Sequence, residues 1–204
     1  MTSSTAAAVS ANKPGKATGY DAVIIGAGVA GLYQLYRLRE QGYKVRVIEA
    51  GSDVGGTWYW NRYPGARVDS QAYVYQYWFS EALDKEWNWS ERFPAQPETE
   101  SYLNFVADRC DLRKDITFNT RVTRATFDEA SSHWTIETDA GETIKTQFLI
   151  TCAGMLSAPL TSTFPGQETF KGQVFHTARW PKEPVDLAGK RVGVVGTGAT
   201  GIQV

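Results

Sequence analysis

One pattern constrains the fold of this 204-residue chain more than any other: Gly-x-Gly-x-x-Gly occurs twice, each time behind a short, apolar, β-branched run. Asp21-Ala-Val-Ile-Ile-Gly26 runs into Gly26-Ala-Gly28-Val-Ala-Gly31, and Lys190-Arg-Val-Gly-Val-Val-Gly196 runs into Gly196-Thr-Gly198-Ala-Thr-Gly201. A buried parallel strand has that composition. In such a triplet the first glycine allows a tight turn, the second lets backbone approach a pyrophosphate, and the third permits close helix–strand contact. The amides at the next helix N-terminus then face the phosphates. After the first triplet, Leu32, Leu35 and Leu38 recur at helical spacing until Gly42 offers a stop. A strand over 44–49 completes a βαβ unit. Its last residue, Glu49, lies 18 residues after Gly31, where a carboxylate accepts hydrogen bonds from ribose hydroxyls. The expected class is α/β with two Rossmann-like dinucleotide-binding units.

The rest of the chain fits around these units. Residues 1–19 hold no acid and are expected to be a disordered tail. Residues 55–93 are dense in Trp, Tyr and Phe, which reads mostly as core and interface packing. Pro97 opens a helix with Leu103, Val106, Ala107 and Cys110 on one face. Strands are expected near 121–127, 133–138 and 143–150, with Asp139-Ala-Gly141 as a hairpin turn. This meander reads as an insertion, after which 148–154 returns as a buried strand. The Pro-, Ser- and Thr-rich loop from Ser157 suggests a boundary. The expected organisation is a tail over 1–19, a first nucleotide domain over 20–156, a linker over 157–188, and the start of a second domain over 189–204. The second triplet ends three residues before Val204, before its helix can form, so the length reads as a cut.

Composition excludes several classes. Lys+Arg 21 against Asp+Glu 22 leaves a net charge of -1, without the basic excess of a nucleic-acid-binding module. No apolar run of roughly 18 residues offers a membrane span. With His 2 and Cys 2, no metal site is expected, and Cys110 and Cys152 suit a reducing compartment, here taken as the cytoplasm. Two dinucleotide units suggest a flavin at the first and a nicotinamide cofactor at the second, with electrons passing between them. The bare second motif fits NAD and NADP equally. A disulfide reductase would need neighbouring thiols. Cys110 and Cys152 lie far apart in sequence and read as small buried hydrophobes.

Two further segments carry a resemblance. Gly55-Gly-Thr-Trp-Tyr-Trp-Asn-Arg-Tyr-Pro-Gly-Ala-Arg-Val-Asp69 resembles the stretch after the second strand in Baeyer–Villiger monooxygenases, the class B flavoprotein monooxygenases. Phe170-Lys-Gly-Gln-Val-Phe-His176-Thr-Ala-Arg-Trp180-Pro181 is similar to that family's fingerprint. Related flavin-containing monooxygenases and N-hydroxylases usually carry Tyr or Phe where Trp180 stands. Glu86-Trp-Asn-Trp-Ser-Glu-Arg92 adds likeness to the phenylacetone and steroid monooxygenase group. The resemblance runs from residue 20 to the end.

It implies a three-layer FAD domain with a β-meander insertion, truncated at the start of an NADP domain. It implies that NADPH reduces FAD, and that a C4a-peroxyflavin then inserts one oxygen of O2 beside a ketone carbonyl, giving an ester or lactone. The implied partners are a small-molecule ketone and O2, without nucleic acid or membrane. Residue by residue, Gly26, Gly28, Ala30 and Gly31 would cradle the FAD pyrophosphate and Glu49 the adenosine ribose. Gly56, Thr57 and Trp58 would line the flavin site, Tyr75 would touch the cofactor, and Val122 would meet the adenine through its backbone. Arg67 and Val68 would lie beside the nicotinamide nucleotide, with Gly196, Thr197, Gly198, Ala199, Thr200 and Gly201 as its turn. Val68 stands where the family often has cysteine.

Asp69 would pair with an active-site arginine that comes from sequence absent here and would touch both cofactors; its alternative is a turn-capping aspartate. His176 would be a hydrogen-bonded linker residue important for domain motion, with acid–base chemistry as the alternative. Two other outcomes stay open: N- or S-oxygenation by the same machinery, and an inactive 204-residue fragment that binds FAD weakly.

Overall fold

The computed structural model describes residues 18–160 and 163–204. The expectation for the tail therefore falls, over 1–17, outside the described residues. Residues 18 and 19 already belong to the first strand.

The centre is one six-stranded sheet in the order β3-β2-β1-β6-β5-β4. β1 (Thr18–Ile25) lies between β2 (Val45–Ile48) and β6 (Thr143–Thr151), parallel to both. Short β3 (Ile116–Thr117) extends the parallel side. β4 (Val122–Asp128) and β5 (His133–Thr138) continue the other side antiparallel. β1 is apolar from Ala22 to Ile25, and Ala22, Val23 and Ile24 are buried because the sheet is covered on both faces there. Ala22 and Ile24 enter the larger core with Leu32, Leu35, Leu103 and Val106, whereas Val23 enters a smaller cluster with Ile48, Ile136 and Ile144.

Helix α1 (Val29–Glu40) packs on this sheet through Gly31, Leu32 and Leu35, and Gly42 stops it with φ 84°. Two one-turn helices follow, α2 (Thr57–Trp60) and α3 (Ala72–Tyr75), then α4 (Glu81–Glu86). α5 (Gln96–Arg109) starts with proline in its first turn and buries Tyr102, Leu103, Val106 and Ala107. Cys110 caps it, half-buried, and both cysteines are free.

The meander stands in the sheet itself: its third strand, β6, is the parallel neighbour of β1, and β5 and β4 continue from it antiparallel. Three expectations need correction. The run from residue 148 is no separate buried strand but the second half of β6, and Phe148 is 51% exposed. Residues 190–196 form no strand, because no described strand pairs with them, and Val192, Val194 and Val195 stand exposed. The helix after the second triplet does form, as the five-residue α6 (Ala199–Gln203). The aromatic stretch also divides: Tyr59 and Tyr77 are buried, whereas Tyr73 and Trp78 are exposed.

Candidate nucleotide and flavin site

The first glycine turn lies at the carboxyl end of β1, where open α/β sheets bind ligands. Gly26 adopts φ 99°, Gly28 caps α1 from an extended conformation, and Leu32 N donates to Gly28 O at 3.0 Å. Gly31 admits no side chain, since a Cβ there would fall 1.9 Å from Gly26 O. No side chain caps α1 and no acid occupies its first turn, so its leading amides and positive dipole end suit an anion. Ala30 is exposed in that turn.

The second turn repeats this geometry. Gly196 adopts φ 127°, Gly198 caps α6 from an extended conformation, and Ile202 N donates to Gly198 O at 3.2 Å. Here too the third glycine is crowded, with a Cβ at Gly201 meeting Gly196 O at 2.5 Å. Thr197 and Ala199 are exposed and Thr200 is half-buried.

Glu49 ends β2 beside the first turn and is only 5% exposed. Its Oε2 accepts from Ala27 N at 2.7 Å and its Oε1 from Gly51 N at 2.6 Å. The carboxylate thus clamps the glycine turn to the loop after β2. Each oxygen keeps a further lone pair for a ribose hydroxyl. Thr120 N donates to Glu49 O at 3.0 Å, which brings half-buried Val122, at the start of β4, to the same corner.

α2 begins at Gly56, whose Cα faces Gly28: a Cβ on Gly28 would lie 3.2 Å from it. Two bare backbones thus meet where a pyrophosphate would lie, a cradle that side chains would fill. One turn of helix does not stand alone. Gln96 Nε2 donates to Trp58 O at 2.5 Å and to Glu100 Oε2 at 2.7 Å, while Arg62 Nη2 reaches Tyr59 O and Glu100 Oε1, each at 2.8 Å. Two carbonyls of α2 are thereby satisfied from α5 and Arg62. Thr57 is left exposed at the helix start and Trp58 buried.

Trp58 Nε1 donates to Tyr75 Oη at 2.6 Å, and the rings meet edge to face at 5.8 Å. Burial raises the Tyr75 phenol pKa, the Trp58 bond opposes this, and the nearby negative charge of Asp69 adds to the rise. The next loop is fixed by backbone. Val68 N donates to Pro94 O at 3.0 Å, Gln96 N to Ala66 O at 2.8 Å, and Arg67 bridges Ala95 antiparallel. Val68 is buried, and its neighbours Arg67 and Asp69 are exposed. Arg67 Nη1 lies 3.3 Å from Glu91 Oε2.

The structure therefore brings Glu49, Val122 and the first turn to one corner, and Trp58, Tyr75 and Asp69 to another. His176 stands apart: Nδ1 accepts from Ala178 N and Nε2 faces Leu160 O, both at 3.2 Å. Sequence reasoning missed Gln96, Arg62 and Glu100, whose partners lie in other elements. No cluster of His, Cys, Asp and Glu suited to a metal occurs among the described residues. No helix among them is long and apolar enough to cross a membrane.

The chain as a whole is similar to known proteins. The chain is 64% identical over 187 residues to an acetone monooxygenase (methyl acetate-forming) of Gordonia sp. (strain TY-5), covering 92% of this chain and 35% of that protein. A structure of oxidized steroid monooxygenase bound to NADP is 55% identical with a TM-score of 0.86, covering 91% of this chain and 36% of that one. A crystal structure of OTEMO with FAD and NADP is 50% identical with a TM-score of 0.84, covering 90% and 35%. The chain thus spans about a third of the length of the relatives it matches. The profile of the FMO-like family, described as flavin-binding monooxygenase-like, matches residues 20–204. The chain belongs to the flavin-binding monooxygenase-like family.

Proposed function

We propose that this chain supplies the FAD cradle and the opening of the NADPH domain of a Baeyer–Villiger monooxygenase, which converts a small ketone to an ester or lactone with O2. The carrying observation is the repeated glycine turn: one cradle sits on the sheet beside Glu49, and a second of the same conformation opens α6, whose Gln203 bonds the backbone of Arg67. The Trp180 fingerprint lies between them, and the relatives' names concern acetone, methyl acetate and FAD with NADP. Bound FAD would accept hydride from NADPH and activate O2.

This chain's residues hold and orient those groups. The first-turn residues Gly26, Gly28, Ala30 and Gly31 and Gly56 hold the FAD pyrophosphate, Glu49 the ribose, and the Val122 backbone the adenine. Thr57, Trp58 and Tyr75 line the flavin. Arg67, Val68 and the second turn, from Gly196 through Thr197, Gly198, Ala199 and Thr200 to Gly201, hold the nicotinamide nucleotide. Asp69 orients an arginine by ion pairing and is the catalytic residue of the set. Residues 20–156 form the FAD-binding part, 157–188 the linker, and 189–204 the start of the NADP-binding part. The net charge of -1 and the two free cysteines favour a cytoplasmic enzyme that binds neither nucleic acid nor membrane.

The test supplies the full polypeptide carrying this chain with NADPH and simple ketones, acetone among them, and identifies products by gas chromatography. Ester or lactone formed with NADPH consumption is expected. NADPH oxidation that yields only peroxide overturns the reading. Sulfoxide or N-oxide without ester would redirect it to heteroatom oxygenation.

A further inference from the structure

Two polar grips hold the linker and α6 against the first unit. Lys182 Nζ donates to Tyr59 Oη at 2.9 Å and lies 4.6 Å from that ring's centroid. The same phenol oxygen accepts from Ser52 N at 3.0 Å and meets Ser52 Oγ at 2.9 Å. Burial pushes the Tyr59 phenol pKa up, but the bonds from Lys182 and Ser52 outweigh it and leave the phenol below its ordinary value. Buried Tyr59 is thus a fixed point with a cation seated on it.

The second grip is Gln203, whose Oε1 accepts from Tyr63 Oη at 2.8 Å and whose Nε2 donates to Arg67 O at 3.1 Å. Gly65 lies beneath α6 so closely that a Cβ there would fall 1.9 Å from Gln203 O. Both grips land between Trp58 and Asp69. Among the described residues, the hydrogen bonds joining residues 163–204 to the first unit involve only Lys182, Thr200 and Gln203.

We propose that Lys182 is a positioning residue: its ammonium, seated on Tyr59, fixes the linker behind Trp180-Pro181 and so sets where the second glycine turn stands relative to Arg67 and Asp69. The assignment rests on the two-nucleotide reading above. Lys182 is exposed, but its charge-assisted bond ends on a buried hydroxyl that Ser52 also holds, which makes it stronger than a neutral contact. Tyr59 keeps its two Ser52 contacts without Lys182, so loss of the ammonium frees the linker rather than the fold.

Hydrogen exchange over residues 176–204 of the 204-residue chain reads the grip without any cofactor. Lys182→Met keeps the stem and removes the charge; it is expected to speed exchange about fivefold, the weight of one such contact. Tyr59→Phe has the same effect, the pair together add nothing further, and Lys182→Arg restores protection. Unchanged exchange in Lys182→Met, or additive effects of the pair, overturns the proposal. In the FAD-loaded full polypeptide, Lys182→Met slows flavin reduction at saturating NADPH several-fold and leaves FAD affinity unchanged. An unaltered reduction rate overturns the positioning role. A wild-type polypeptide that takes up no FAD contradicts the functional reading instead, and exchange alone then judges Lys182.

Discussion

Glu49 works through both carboxylate oxygens. Each accepts a backbone amide, and the two amides belong to different loops, so the side chain shapes the cradle before any ligand arrives. Glu49→Gln retains one acceptor and turns an NH2 toward an amide N–H. It is expected to cost about 1–3 kcal/mol, the penalty of an unsatisfied buried donor. Urea unfolding in the absence of FAD measures this, and an unchanged midpoint would show that the clamp contributes nothing. Gly31 is constrained by space alone. Gly31→Ala drives a methyl into Gly26 O and is expected to cost about 1–3 kcal/mol or more, with FAD uptake lost as the turn opens. Uptake at wild-type affinity would mean the turn relaxes without harm.

At the scale of elements, α5 organises the site from outside it. Its Gln96 and Glu100 brace α2, and Tyr102 Oη accepts from Tyr77 N at 2.7 Å beneath the aromatic layer. Burial pushes the Tyr102 phenol up to about 12, helped by Asp84 and opposed by the Tyr77 amide; burial likewise raises Tyr77 well above the ordinary range. A phenol pKa raised in the fold favours the neutral form there. Its contribution is whole below the unfolded value near 10 and is lost as pH rises through about 12. The urea midpoint is therefore expected to fall between pH 9 and pH 11.5. In Tyr102→Phe the fall is smaller, from a baseline lowered by the orphaned Tyr77 amide. A midpoint independent of pH across that range would contradict the assignment.

Legibility followed the range of the forces. The α/β class, the end of α1 at Gly42 and the start of α5 at Pro97 were readable, because periodicity, glycine and proline act within a few residues. The shared role of β6 was not, since a strand's partners on its two edges leave no separate marks along its own sequence. The missing strand over 190–196 shows the converse: β-branched composition describes a surface that fits a sheet, and a sheet must be there to receive it. In the site, the glycines and Glu49 declared themselves by spacing. Arg62, Gln96 and Lys182 did not, because their partners are distant in sequence and a single chain carries no trace of such pairs.

The whole molecule is a sheet-bound cradle and a second cradle of the same conformation, joined by a linker and held by Lys182 and Gln203. In the proposed reading Trp58 and Tyr75 line the flavin, and the hydrogen bond that Trp58 Nε1 donates to Tyr75 Oη would fix how that wall is presented. Trp58→Phe removes that donor and part of a buried ring, and is expected to weaken FAD binding several-fold and to cost about 1–3 kcal/mol of stability. Flavin fluorescence titration decides, and unaltered affinity would remove Trp58 from the wall. The proposed function requires oxygen transfer to a carbonyl compound. Its most direct test is turnover of the full polypeptide with NADPH, a simple ketone and 18O2, followed by mass spectrometry of the product. An ester or lactone carrying one atom of oxygen-18, with one NADPH consumed per product, is expected. NADPH consumption that places all the label in peroxide or water, with no labelled ester, would contradict it.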